Sequence, residues 1–160
     1  MGDPILEVTL PIKHEDSIRQ QAAEKDLDPA LIAAVIYSES RFRDQTSRAG
    51  AKGLMQIVPD TAQFIANHSG GTAFELRDLA TPDINIRYGS WYLRYLMQRY
   101  DGNKTAAIAA YNAGHGNVDK WGGGSIDLDD IRFPETEAYT RQVLEKRDEY
   151  ASRRAAELGL

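Results

Sequence analysis

One carboxylate in this chain stands where a carboxylate is costly. Glu39 closes the run Asp28-Pro29-Ala30-Leu31-Ile32-Ala33-Ala34-Val35-Ile36-Tyr37-Ser38-Glu39. Ile36, Val35 and Ile32 precede it by three, four and seven positions, which is one face of a helix. Glu39 therefore prolongs an apolar stripe that must turn toward the core. Desolvation there favours the neutral carboxylic acid over the charged form. An acid still protonated near pH 7 can donate a proton to a leaving group, as a general acid must. On this stretch alone the blander reading also stands, with Glu39 reaching solvent at the helix end.

Other chemistries find less support in the residues. The chain has no cysteine, so disulfide and thiolate chemistry are excluded. His14, His68 and His115 lie in unrelated segments without metal-ligand spacing. Asp127, Asp129 and Asp130 lack the alternating oxygens, central glycine and distal glutamate of a calcium loop, and read as a solvated acidic loop. Gly122-Gly123-Gly124 follows no strand and reads as a linker rather than a phosphate loop. No serine has a recognisable base. No metal or cofactor is expected. What remains is acid chemistry by a carboxylate with aromatic and amide neighbours. Tyr, Asn, Gln and Gly clusters suit sugars, which take stacking faces and amide hydrogen bonds. Each element also has an ordinary structural reading: Tyr111 and Tyr139 as half-buried core tyrosines, Asn112 as a helix-end cap with Gly114, Met55 as core filling.

The elements that must position these residues read as helices. The 160 residues, 42% hydrophobic and 27% charged, suit one domain with a real core. A net charge of −5 gives no support to nucleic acid or anionic membranes as partners. Residues 1–13 are expected to be an irregular arm broken by Pro4 and Pro11, with Val8, Leu10 and Ile12 alternating as in a short strand. A helix follows from about His14 to Asp26, with Ile18, Ala22 and Leu27 inward. The glutamate helix runs from Pro29 to Ser40, capped by Asp28. A loop carries Ser47, Gly50 and Gly53, whose permissive backbone allows a ligand close approach. Leu54, Met55, Ile57 and Val58 form an apolar cluster that Pro59 breaks, before a helix to about His68. Ser69 to Thr72 reads as a flexible loop. Thr81 and Pro82 open a long helix to Tyr100, with Ile84, Tyr88, Trp91, Tyr92, Tyr95 and Leu96 inward. A short helix from Lys104 to Ala110 leads into Tyr111-Asn112-Ala113-Gly114, and a second covers 115–121. Residues 122–130 read as a mobile acidic loop. A last helix runs from about Glu135 to Leu158, with Tyr139, Val143 and Tyr150 on one face. The fold class is all-α.

Four strings then carry a resemblance. Glu39-Ser40-Arg41-Phe42 is followed by Ser47-Arg48-Ala49-Gly50-Ala51-Lys52-Gly53-Leu54-Met55-Gln56-Ile57-Val58-Pro59-Asp60-Thr61-Ala62. Then come Ala110-Tyr111-Asn112-Ala113-Gly114 and Pro134-Glu135-Thr136-Glu137-Ala138-Tyr139. Together, in this order and over about residues 15–150, they resemble the soluble lytic transglycosylase family. The resemblance implies a lysozyme-like helical fold akin to goose-type lysozyme, with residues 14–160 as the catalytic domain. It implies cleavage of bacterial peptidoglycan between N-acetylmuramic acid and N-acetylglucosamine, leaving a 1,6-anhydromuramic end.

Matched residue by residue, Glu39 takes the place of the family's single acid/base. Ser47 matches the loop serine near the muramic N-acetyl group. Met55 and Gln56 fall in the Gly-Leu-Met-Gln cleft wall, Tyr111 and Asn112 in the Ala-Tyr-Asn-Ala-Gly segment, and Glu135 and Tyr139 in the late segment lining the same cleft. Arg43-Asp44 departs from the Asn-Pro of many members, and Val58 stands where many have Met. Arg41, Arg43, Arg48 and Lys52 crowd the loop after Glu39, either as a solvated face or as a cationic rim for stem-peptide carboxylates. The resemblance also implies action outside the cytoplasmic membrane. No signal peptide is visible in Met1-Gly2-Asp3-Pro4 and no apolar run is long enough to span a membrane, so a trimmed signal or anchor is the simplest expectation. The expected partner is the glycan strand; no nucleic acid and no obligate protein partner are expected, and the chain is expected to be a monomer. Two alternatives stay open: a water-using muramidase with Glu135 as second carboxylate, and a glycan-binding module without activity.

Overall fold

Two helices too apolar to face water organise the fold. The computed structural model describes residues 2–70 and 76–160. Among them the helices are α1 (Pro4–Thr9), α2 (Glu15–Lys25), α3 (Pro29–Ser40), α4 (Pro59–Ser69), α5 (Pro82–Arg99), α6 (Lys104–Ala113), α7 (His115–Trp121), α8 (Pro134–Arg153) and α9 (Ala155–Leu158). Short 3₁₀ turns cover Leu76–Ala80, Gly123–Ser125 and Leu128–Asp130. The described residues contain no strand, only isolated bridges from Lys52 to Thr46 and to Ile57. None of their helices is long and apolar enough to cross a membrane. The expected all-α class therefore holds.

The first of the two helices is α3. Every residue from Ala30 to Tyr37 is buried, so the expected stripe is a helix enclosed on all sides. Its alanines let neighbours come close, and α8 and α2 pack along it. Each of Ile32, Val35 and Ile36 stabilises the fold by roughly 1.5–3 kcal/mol through burial. The Asp28 carboxylate accepts a hydrogen bond from the Ala30 amide at 3.0 Å and Pro29 fills the first turn, as N-terminal chemistry requires. The helix stops at Arg41 and Phe42, both at positive φ (54° and 63°), which swings the chain away just after Glu39. The second helix is α6, whose residues Ala106 to Ala110 are all buried. Asn103 caps it through the Ala106 amide, and it packs on α5, α7 and α8.

Several expectations are corrected. The N-terminal arm is helical, not extended: Asp3 caps it and Pro4 sits at its first position rather than breaking it. Leu10 is buried while Val8 is exposed, so no strand alternation exists. Pro59 likewise opens α4 instead of only ending the apolar cluster. The Tyr111-Asn112-Ala113 segment belongs to α6 itself. Residues 122–130 are built into two turns, the second with a capping box between Asp127 and Asp130, and the Asn103 amide donates to the carbonyls of Gly124 and Ile126. The last helix breaks at Arg154. The expected inward face of α5 holds in part: Tyr92 and Leu96 are buried, but so are Asn85, Ile86, Gly89, Ser90 and Leu93, whereas Ile84, Tyr88, Trp91 and Tyr95 are half-buried. Part of the expected loop over 69–72 lies outside the described residues.

Candidate active site

Glu39 sits on the last turn of α3, facing a cleft of about 440 Å³. Three stretches line it with Glu39: Ser47 to Thr61 from the loop and α4, Tyr92 from α5, and Tyr111 to Gly114 at the end of α6. Among the described lining residues Glu39 is the single carboxylate. The Tyr139 hydroxyl, from α8, donates to Glu39 Oε2 at 2.7 Å across a separation of 100 residues. Burial raises the Glu39 carboxyl from 4.5 to about 7, and the Tyr139 bond pulls weakly the other way by favouring the charged form. Oε2 acts as acceptor, so Oε1 is the oxygen left to carry an exchangeable proton.

The two tyrosines beside the acid have different duties. The Tyr111 hydroxyl donates to the Met55 carbonyl at 2.8 Å and so anchors the loop, not the carboxyl. Burial, then the neighbouring Glu39 charge, hold both phenols well above their ordinary range. Both remain neutral donors while Glu39 titrates.

The loop wall between α3 and α4 is fastened by backbone bonds, among them Lys52 with Ile57 and Gly53 with Gln45, and by side chains bonded to its backbone. Ser40 Oγ lies 2.7 Å from the Leu54 carbonyl. Asn85, fully buried in α5, accepts from the Met55 amide at 2.8 Å and donates to the carbonyls of Lys52 (2.8 Å) and Leu79 (3.0 Å). Gly53 has φ +75°, and a Cβ there would lie 2.2 Å from Asn85 Nδ2 and 2.9 Å from the Leu79 carbonyl. Gly89 faces Met55, whose sulfur would stand 2.3 Å from an added Cβ. Gln56, at φ 50°, donates from Nε2 to the carbonyls of Gln45 (2.9 Å) and Gly53 (2.8 Å). Ser47 closes a small turn: its hydroxyl accepts from the Ala51 amide at 3.1 Å and its proton is uncommitted among the described residues.

Of the residues singled out in the sequence, Glu39, Ser47, Gln56, Val58, Tyr111 and Asn112 line one cleft, and Tyr139 touches its acid. Asn112 also accepts from the buried Thr136 hydroxyl at 2.8 Å, tying α6 to α8. Met55 does not line the cleft; its side chain is buried beneath the wall. Glu135 is exposed on the first turn of α8 and is absent from the lining. None of Arg41, Arg43, Arg48 and Lys52 lines the cleft. Arg41 instead donates to the Tyr37 hydroxyl and lies over its ring, and with Arg43 it borders a separate hollow. Of the two readings of this basic loop, the cationic rim gains no residue in the cleft lining. Sequence reasoning missed Asn85, Gly89, Thr61 and Ser40; an asparagine between Ile84 and Ile86 was the available signal. Among the described residues no group of three or more metal-ligating side chains converges.

Comparisons with known proteins show the family and the fold. The transglycosylase SLT domain family matches residues 16–133. The chain is 35% identical over 153 residues to a soluble lytic murein transglycosylase of Salmonella typhimurium, covering 87% of this chain and 23% of that protein. The corresponding Escherichia coli protein is 33% identical over 148 residues, with the same coverage. Among solved structures, an inactive mutant of the lytic transglycosylase Slt from Pseudomonas aeruginosa superposes with a TM-score of 0.86 at 32% identity, covering 94% of this chain and 26% of that one. A 70-kDa soluble lytic transglycosylase in complex with bulgecin A matches with a TM-score of 0.84 at 32% identity, over 91% of this chain and 25% of that one. The chain spans about a quarter of the length of these relatives.

Proposed function

The chain belongs to the transglycosylase SLT family, with its lysozyme-like helical fold, and we propose that it cleaves peptidoglycan glycan strands as a lytic transglycosylase. The observation that carries this reading is a half-buried cleft carboxylate, the single one among the described lining residues, raised to about 7 and bonded by a neutral phenol. Ordinary glycosidases set two carboxylates at a fixed separation, and among the described residues no second one lines this cleft. A reaction in which one group is acid and then base needs only Glu39.

Protonated Glu39 donates its proton to the glycosidic oxygen as the bond from the muramic C1 to that oxygen breaks. The carbonyl oxygen of the muramic N-acetyl group closes on C1 and holds the positive charge within the sugar. Glu39, now ionised, takes the proton from the O6 hydroxyl of the same sugar. O6 then displaces the N-acetyl oxygen at C1 and forms the 1,6-anhydro ring, so Glu39 ends protonated as it began. A carboxyl near 7 suits both halves of the cycle. Tyr139 orients the carboxylate and eases its charged phase. Ser47, Gln56 and Asn112 offer polar contacts to the sugars, and Val58 a small apolar one. We assign catalysis to residues 14–160, with 1–13 as a docked arm, in a monomer acting outside the cytoplasmic membrane, where peptidoglycan lies.

Mass spectrometry of muropeptides released from purified peptidoglycan tests the reading. Products one water lighter than reducing muropeptides are expected, and none with Glu39→Gln. Reducing ends would make the protein a muramidase; binding without release would make it a glycan-binding module.

A further inference from the structure

Two side chains shape the cleft from behind it. Thr136 and Tyr139 stand three residues apart on α8, which puts them on one face of that helix. Neither lines the cleft. Tyr139 holds the acid, and Thr136 holds Asn112. The Thr136 hydroxyl donates to Asn112 Oδ1 at 2.8 Å, reaching from α8 to the last turn of α6. Thr136 is buried, at 1% exposure, whereas Asn112 is exposed and lines the cleft.

The position of Thr136 in its helix explains the bond. A threonine inside a helix commonly returns its proton to the carbonyl four residues back. Thr140 does so on the same helix, donating to the Thr136 carbonyl at 2.7 Å. Thr136 lies in the first turn of α8, and the carbonyl four residues before it belongs to Arg132, outside the helix. Without that return bond its hydroxyl reaches across to α6. The effect on Asn112 is directional. A primary amide presents its oxygen and its NH₂ on opposite sides. With Oδ1 taken from behind, Nδ2 is the end left for the cleft, and it has no protein partner among the described residues. Gln56 is the reverse case. Its Nε2 protons go to the carbonyls of Gln45 and Gly53, which leaves Oε1 as an acceptor. The two amides of the cleft lining are thus fixed with opposite polarity.

We propose that Thr136 is a positioning residue for glycan binding: it locks the Asn112 amide with its N–H toward the cleft, so that this point takes an acceptor oxygen of the strand. This rests on the glycan-cleaving reading for its ligand, and it assigns part of the recognition to a buried residue that no sugar touches. An Asn112 free to turn over would offer oxygen or N–H alike, and each strand would have to arrest it on binding. Thr136 does that beforehand. It makes no bond to Glu39, so it acts on binding and leaves the acid as it is.

Three measurements test it. Affinity for a soluble β-1,4-linked N-acetylglucosamine hexamer is taken by calorimetry in a Glu39→Gln background. In the active protein, KM, kcat and the pH profile of kcat/KM are taken on soluble glycan fragments. Thr136→Val keeps the shape and removes the hydroxyl. It should weaken affinity and raise KM by roughly 3- to 10-fold, with kcat and the Glu39 titration in place. Thr136→Ser, which keeps the hydroxyl, should bind as the wild type does. In an Asn112→Ala background, Thr136→Val should cause no further loss of affinity. Equal losses with and without the Asn112 side chain would reduce Thr136 to a structural role and overturn the proposal. Should Thr136→Val fail to fold, Asn112→Asp decides: it keeps an acceptor for Thr136 but has no N–H for the cleft, and unchanged affinity would overturn the proposal. The third measurement needs no glycan. NMR relaxation should show the Asn112 side-chain amide ordered in the wild type and mobile in Thr136→Val, with the Gln56 amide ordered in both. An Asn112 amide already mobile in the wild type would overturn the lock. A wild-type chain that releases nothing from peptidoglycan would sink the cleavage reading, while the order of the amide would still decide the lock.

Discussion

The floor and the wall of the cleft are held by different physics. The floor is helix-borne: α3 brings Glu39, α6 brings Tyr111 and α8 brings Tyr139, and all three are fixed by apolar packing. The wall, residues 44–58, has little regular structure, and a few polar side chains grip its backbone: Ser40, Gln56, Tyr111 and above all Asn85. A floor spread over many contacts tolerates local loss. A wall whose buried bonds converge on Asn85 is most vulnerable there, because loss of that side chain leaves unpaired groups behind.

The largest expected effect is chemical and belongs to the floor. Glu39→Gln should lower turnover on peptidoglycan by about 10³-fold or more with the circular dichroism spectrum unchanged. Activity retained would remove Glu39 from the mechanism.

Next comes the wall. Asn85→Ala abandons three buried backbone partners and should cost about 3 kcal/mol, a fall in Tm on the order of 10 °C. Gly53→Ala drives a methyl into the Asn85 amide and should be comparably harmful. The double variant should lose less than the two single losses added together, since the clash needs both partners. Strict additivity in thermal unfolding would show that Asn85 is not the peg on which the wall hangs.

The floor also has a pH signature. Glu39 has a carboxyl raised from 4.5 to about 7 in the fold. Between those values the unfolded chain has lost its proton and the folded one keeps it, so stability falls as pH rises through this window. Relative to wild type, Glu39→Gln should therefore gain stability at pH 8 and lose that advantage toward pH 4. Tm measured across pH on both proteins checks the sign.

The smallest effects sharpen the contrast between the two phenols. Tyr139→Phe removes a bond to the charged carboxylate, so the Glu39 titration seen in the pH profile of kcat/KM should move upward. Tyr111→Phe should leave that titration in place and cost about 1 kcal/mol of stability through the Met55 carbonyl. Matching shifts in both profiles would erase the distinction.

The same contrast explains what the sequence revealed. The bounds of α3 follow from Asp28, Pro29 and an unbroken apolar run, and the site motifs sit at helix ends that periodicity locates well. The wall was opaque, because hydrogen bonds from Asn85 to positions thirty or more residues away leave no periodic trace. The phase of α5 was partly misjudged for the same reason. Asn85, Gly89 and Ser90 have surface-like types, yet they are buried to receive Met55 and the loop, which turns the larger Ile84, Tyr88, Trp91 and Tyr95 partly outward. Pro4 and Pro59 misled because a proline that ends one element serves equally as the first residue of the next.

The hydrogen bond from Tyr139 to Glu39 joins residues 100 apart in the chain, and its consequence lies in time. During synthesis α3 emerges long before α8, and without α8 along its side the Glu39 carboxyl stays hydrated and titrates as an ordinary surface acid. A chain stopped before α8 should therefore show Glu39 titrating as an ordinary acid, and docking of α8 should raise it.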